Sequence, residues 1–180
     1  MKKNIKSQSY NYKNSNFGKK VIAAFDKFTD PMYPKKTYLL RWNPIISSLS
    51  LDEYRRAVKE CPKGFEYNYS VHDWEQAHCG DHFYMFRTGD DYAGIIFRGV
   101  FTSNPEPGDD WAGQGKQRHY MDIFCCDCVP ADQKPPIDIE LLEKEIPSID
   151  WRKGHAGELI SREDAQKLDE LWEELMDTEE

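Results

Sequence analysis

The sequence predicts an α+β domain built around a mixed, mostly antiparallel sheet. Three observations carry that prediction. Short segments rich in aromatic and β-branched residues recur through the middle of the chain and follow one another through turns. Segments with apolar residues at three- and four-residue spacing are interleaved with them and close the chain. Aromatic residues make up 13% of the 180, a content suited to a packed core and foreign to a disordered chain. About five or six strands and three or four helices follow from this reading, an order that favours α+β over a doubly wound sheet.

The elements can be justified in turn. Phe17–Phe28 places Val21, Ile22, Phe25 and Phe28 at helical spacing, and Pro31 and Pro34 then break the chain. Thr37–Asn43 is the first clear strand, ended by Pro44. Ser50 and Glu53 form a capping box that opens a helix with Leu51, Tyr54 and Val58 on one face, stopped at Pro62–Gly64. Phe65–Val71 alternates aromatic and polar residues as a strand does. Ser70 is a candidate cap for a short helix carrying Trp74 and Ala77. The strands His82–Thr88 and Ala93–Thr102 flank the turn Gly89-Asp90-Asp91. A loop over Asn104–Gln117 leads to a strand over Arg118–Val129. Asp138 opens a helix with Ile139, Leu142 and Ile146, ended by Pro147, and Gly157–Ile160 is a short strand. Ser161 and Asp164 are a second capping-box candidate, opening a helix that aligns Ala165, Leu168, Leu171, Trp172 and Leu175.

Charge divides the chain. Residues 1–36 hold nine lysines and two acids, a sum of +7, while the remaining 144 residues hold 15 basic and 30 acidic side chains, a sum of −15. The expected organisation is a basic, partly disordered arm over 1–36 with one short helix, followed by a domain over 37–180. Nucleic-acid binders usually present a basic face, so an acidic body argues against broad phosphate binding and leaves room for a local basic patch or for phosphate contacts from the arm, against the alternative of a solvated N-terminus. No apolar run approaches the ~18 residues of a membrane span. The first residues carry lysines but no apolar h-region, and the five cysteines read as reduced thiols. The expected location is cytoplasmic, with no membrane partner.

The order of landmarks resembles the EVE domains. Tyr38-Leu39-Leu40-Arg41-Trp42-Asn43-Pro44 looks like their opening strand, and Gly80-Asp81-His82-Phe83-Tyr84 like the Gly-Asp entry to an aromatic strand. Ala93–Val100 is similar to their glycine-containing central strand, Tyr120–Phe124 to the next, and Gly157–Leu175 to the closing strand and helix. The resemblance runs over residues 37–176. It implies a PUA-like fold, a small, mostly antiparallel barrel flanked by helices, shared with YTH, ASCH and SRA domains. It implies the role of reading a modified base, in DNA or RNA, flipped into a pocket. The chain departs from the family opening, because Arg41-Trp42-Asn43-Pro44 stands where many members carry a Lys-Ser-Glu-Pro type turn.

The candidate ligand-binding residues are Trp42, Asn43, Pro44, Trp74, Trp111, Lys116, Arg118 and Tyr120. Trp42-Asn43-Pro44 lies at a strand end, where an indole could stack on a base and an amide could read its edge. The alternative is a packed indole with Asn43 capping the turn, and both stand open. Trp74 and Trp111 are further wall candidates, the first with a core alternative on its short helix. Lys116 and Arg118 flank the Trp111 loop as phosphate contacts, against the alternative of ordinary salt bridges. Trp151 and Trp172 read as core. Cys125-Cys126-x-Cys128 lacks zinc spacing, the five histidines sit in no catalytic signature, and Gly113-x-Gly115 is too short to cradle phosphate. The expectation is therefore a non-enzymatic domain without cofactor or metal. The alternative is a small hydrolase, like the ASCH amidohydrolases, acting on a modified nucleoside.

Overall fold

The protein is described by a computed structural model covering residues 16–27 and 32–176. The expected mobile segment of the arm is residues 1–16, of which 1–15 lie outside the described residues and Asn16 opens the first helix. Four helices are described: α1 (Asn16–Asp26), α2 (Leu51–Glu60), α3 (Ile139–Glu145) and α4 (Arg162–Leu175). Seven strands are described: β1 (Thr37–Trp42), β2 (Phe65–Ser70), β3 (His82–Arg87), β4 (Gly94–Phe101), β5 (Glu106–Gly108), β6 (Arg118–Cys126) and β7 (Glu158–Leu159). They form one sheet in the order β2-β6-β4-β3-β1-β7, with β5 attached to β6. The β1–β3 pair is parallel and every other strand pair is antiparallel. This is the α+β architecture the sequence predicts, a curled, mixed half-barrel consistent with a PUA-like fold.

The interior is aromatic. Ring contacts run from Tyr38 to Phe101 at 5.4 Å, to Phe83 at 5.7 Å, to Phe97 at 6.1 Å, to Tyr54 at 5.8 Å and to Trp42 at 4.9 Å. Tyr54 enters this chain from α2, which the capping box at Ser50 and Glu53 starts as predicted. Its hydroxyl donates to the Val129 carbonyl at 2.6 Å, so the ring is both packed and hydrogen-bonded. Gly99 lies on the Phe83 ring, where a Cβ would come within 2.8 Å of Phe83 Cζ. A side chain there would collide first with the Phe124 carbonyl of β6 and then with this ring, so it would part the two strands as well as disturb the core.

The sheet curls until its two ends meet. Beyond β2, Val71 donates to the His119 carbonyl of β6 at 2.9 Å. His72 and Asp73 then donate to the Ala156 and Gly157 carbonyls, both at 2.9 Å, while Gly157 donates to the Leu39 carbonyl of β1 at 3.0 Å. The Asp73 carboxylate adds a bond from the Leu159 amide at 2.7 Å. These bonds close a ring from β6 through residues 71–73 and 156–157 to β1.

Three local expectations need correction. Ser70 ends β2 and caps nothing: the following 3₁₀ turn, Trp74–Gln76, has Asp73 at its cap position with no side-chain bond. The Asp73 side chain is committed to Leu159 instead. The Ser161 cap of α4 is single, because the carboxylate of Asp164 accepts from Ser148 Oγ at 2.5 Å and does not reach back. Strand β6 ends at Cys126, three residues early, because Asp127 adopts φ 56° and pairs with Arg98 at 2.9 Å. A short strand, β5, also lies within the expected loop.

Gly157 sits at the ring closure with φ 81°, and a Cβ there would lie 2.6 Å from Val71 Cα. Gly157→Ala should cost about 2 kcal/mol or more, a melting temperature lower by roughly 4–8 °C. Thermal unfolding followed by circular dichroism checks this, and an unchanged melting temperature would show that the closure carries little stability.

Candidate functional site

An open cleft of about 830 Å³ lies over the ring closure. Its walls come from the end of β1 and the loop after it, from β2 and residues 71–75, from the 111–117 loop, from the start of β6, and from residues 154–156. Segments far apart in sequence meet here because β2 pairs with β6, Ser70 opposite Tyr120, and because the closure brings 154–156 beside 71–73.

Six of the eight predicted residues line this cleft: Asn43, Trp74, Trp111, Lys116, Arg118 and Tyr120. Two do not. Trp42 is fully buried, stacked against Tyr54, with its indole N–H donating to the Leu49 carbonyl at 2.7 Å. It is a core residue, on the same face of β1 as the fully buried Tyr38 and Leu40. Pro44 is buried as well and does not line the cleft.

The 111–117 loop is organised by Asp110. Its carboxylate accepts from the amides of Ala112 at 3.1 Å, Gln114 at 2.7 Å and Lys116 at 3.2 Å, and pairs with the Arg118 guanidinium. Arg118 and the amides hold the Asp110 carboxyl well below the usual carboxylate range. The Arg118 guanidinium also lies 5.5 Å from the Trp111 ring centre. Tyr120 fixes the loop base: its hydroxyl donates to the Asp109 carbonyl and accepts from the Trp111 amide at 3.2 Å. Trp111 thus has a rigid backbone and a side chain 47% exposed.

On the facing wall Trp74 stacks on His119, with ring centres 3.5 Å apart and planes 12° apart. His72 stacks on His155 at 4.1 Å and 13°. Asn43 Oδ1 accepts from the Ile45 amide at 3.0 Å, which leaves its Nδ2 as an open donor among the described residues. The three cleft histidines were not singled out by sequence reasoning. No motif marks them, since His119 reaches the cleft only through strand register and His155 only through the ring closure. The ring hydrogen bonds of the described histidines belong to His78, with the Gln76 carbonyl, and His82, with Asp26. Among the described residues no cluster of three or more metal-ligating side chains is present, and no helix is long and apolar enough to cross a membrane. Burial pushes the Cys125 and Cys128 thiols up.

No family model and no curated protein matches the sequence. Solved structures do. A protein from Pseudomonas putida superposes with a TM-score of 0.51 at 14% identity, covering 75% of this chain and 98% of that one. This likeness shows a shared fold. A mutant of the ASCH protein of Zymomonas mobilis gives a TM-score of 0.48 at 14% identity, covering 76% of this chain and 99% of that one. The YTH domain of a Zygosaccharomyces rouxii protein, in complex with N6-methyladenosine RNA, gives 0.43 at 13% identity, covering 77% and 87%.

Two outcomes follow from this geometry. Trp42→Phe should destabilise the fold by roughly 1–3 kcal/mol through a lost hydrogen bond and looser packing, leaving the cleft intact; denaturant unfolding measures it. Asp110→Asn should release the loop, so that the amides of Ala112, Gln114 and Lys116 exchange with deuterium about tenfold faster or more. The Asp110 carboxyl is depressed in the folded state, so its contribution is complete above about pH 4 and is lost as pH falls through the depressed value. The protection of these amides, taken against the intrinsic exchange rate at each pH, should therefore stay constant from pH 7 down to about pH 4 in the parent protein.

Proposed function

We propose that the cleft binds nucleic acid by taking up one base, and that the base it selects is a modified one. The observation that supports this reading is the presence, around one opening, of an exposed indole backed by a guanidinium and a tryptophan–histidine stack. Flat faces of this kind bind bases by stacking, each worth ~1–3 kcal/mol. The open Asn43 donor can address a base edge, and Lys116 can meet a phosphate at the rim. The volume falls in the roughly 300–1,000 Å³ range of small-ligand sites, which leaves space for a substituent on the base. The resemblance to EVE domains supports the modified base.

The test is a titration of short single-stranded oligonucleotides, each with and without one methylated base. The expected result is tighter binding of a methylated strand, with Trp111→Ala weakening it roughly five- to 150-fold. Equal binding of all strands would remove the modified-base reading, and indifference to Trp111→Ala would remove the site.

A further inference from the structure

The charges that line the cleft restrict what can enter it. Three cations take part. The Arg41 guanidinium donates to the Trp151 carbonyl at 3.0 Å and the Asp150 carbonyl at 2.8 Å, and pairs with Glu158 at 3.3 Å. Arg118 is paired with Asp110. Lys116 is the one lining cation whose side chain makes no hydrogen bond or ion pair among the described residues. Two lining carboxylates, Asp73 and Glu75, pair with no cation among the described residues. The Asp73 carboxylate accepts from the Leu159 amide through Oδ2, which leaves Oδ1 as an acceptor.

A backbone dense in phosphate would meet one free ammonium and two free carboxylates here. A base edge would meet two acceptors and the Asn43 Nδ2 donor. Edges that present N–H groups suit such a set. Guanine offers adjacent ring and amino N–H donors beside a carbonyl, adenine and cytosine offer an amino group, and uracil offers a single ring N–H set between two carbonyls that would face the carboxylates.

We propose, resting on the base-binding reading above, that the ligand is a single nucleotide unit with an amino-bearing base, guanine-type first, contacted at one phosphate through Lys116. Asp73 and Glu75 read the N–H edge. This chemistry is shared by a free nucleoside monophosphate and by one nucleotide of a single strand, and a duplex does not supply it.

The experiment titrates the full chain, by its tryptophan fluorescence and by calorimetry, with the four nucleoside monophosphates, with guanosine, with single-stranded pentanucleotides bearing each base at the centre, and with a duplex containing guanine. Each is measured at two salt concentrations. Guanine ligands should bind tightest and uracil ligands about tenfold or more weaker. For the strands the logarithm of affinity should fall against the logarithm of salt with a slope of about −0.7, that of one phosphate contact, and for the monophosphates no more steeply. Asp73→Asn and Glu75→Gln should each narrow the guanine–uracil gap without changing the slope. Asparagine at 73 keeps an oxygen for the Leu159 amide, and Glu75 is exposed, so both variants should fold. A strand bound tighter than the monophosphate at the same slope assigns the site to single-stranded nucleic acid, and equal binding assigns it to a free nucleotide; both outcomes support the proposal. A slope near −2 or steeper, a duplex bound tighter than the strand, or a preference for uracil overturns it. Absence of binding to every ligand of this panel overturns the proposal, a result distinct from the other three, while the methylated strands of the earlier titration decide the base-binding reading itself.

Discussion

The ring closure between residues 71–73 and 156–157 is the constraint on which the rest of the structure depends. A curled sheet with open ends would leave the amides of His72 and Asp73 and the carbonyls of Ala156 and Gly157 without partners, at a cost for each one removed from water. Closure satisfies them together. It requires the backbone of residue 157 to approach Val71 more closely than a Cβ permits, and so it requires glycine. The same bonds place His155 against His72 and set the 3₁₀ turn that carries Trp74 beside β6. The cleft is a consequence of the closure, since its walls are the side chains that the joined segments leave above the seam.

Much of the fold was legible because it is written locally. The capping box at Ser50, the helical stripe through Leu168 and Trp172, and the turn at Gly89 are each determined by residues a few positions apart. Of the two readings open for Trp42 the packed one holds, and a local signal for it exists. It alternates with Tyr38 and Leu40, both fully buried, and a two-residue period puts all three on one face. Its position at a strand end beside Asn43 obscured that. The loop side of the site was legible because Trp111 among Asp, Gly and Gln residues has no apolar neighbours to pack with. The histidine side was not, because Ser70 opposite Tyr120 and His72 beside Ala156 are pairings across long stretches of chain. Strand β5 escaped notice because its sequence, Glu-Pro-Gly, has no strand propensity and is held in place by β6 and by the Tyr120 ring packed on Gly108.

The way the domain uses arginine decides how little free positive charge an acid-rich body leaves at the cleft proposed as a ligand site. Arg87 is buried with Asp90 and the Ala131 carbonyl, and Arg98 is buried with Asp127 beneath Trp172. Arg41 and Arg118 are tied down by carbonyls and carboxylates of their own fold. Arg41 and Arg87 each meet several fixed acceptors at once, the arrangement a planar fork favours, Arg98 and Arg118 pair with Asp127 and Asp110, and each of the four would leave an uncompensated carboxylate or carbonyl if removed. Arg118, which the sequence offers as a phosphate contact, therefore serves as an internal cross-link, as the other three do. Little of their charge remains to build a field outside the protein, and the formal net charge of −8 opposes any long-range attraction of polyanions. Selection at the cleft then depends on short-range terms: which flat faces a ligand can cover and which donors and acceptors it can match. Rigid walls make those terms discriminating, because a stack of fixed planes and a loop anchored on Asp110 cannot adjust to a ligand of the wrong shape without breaking the bonds that hold them.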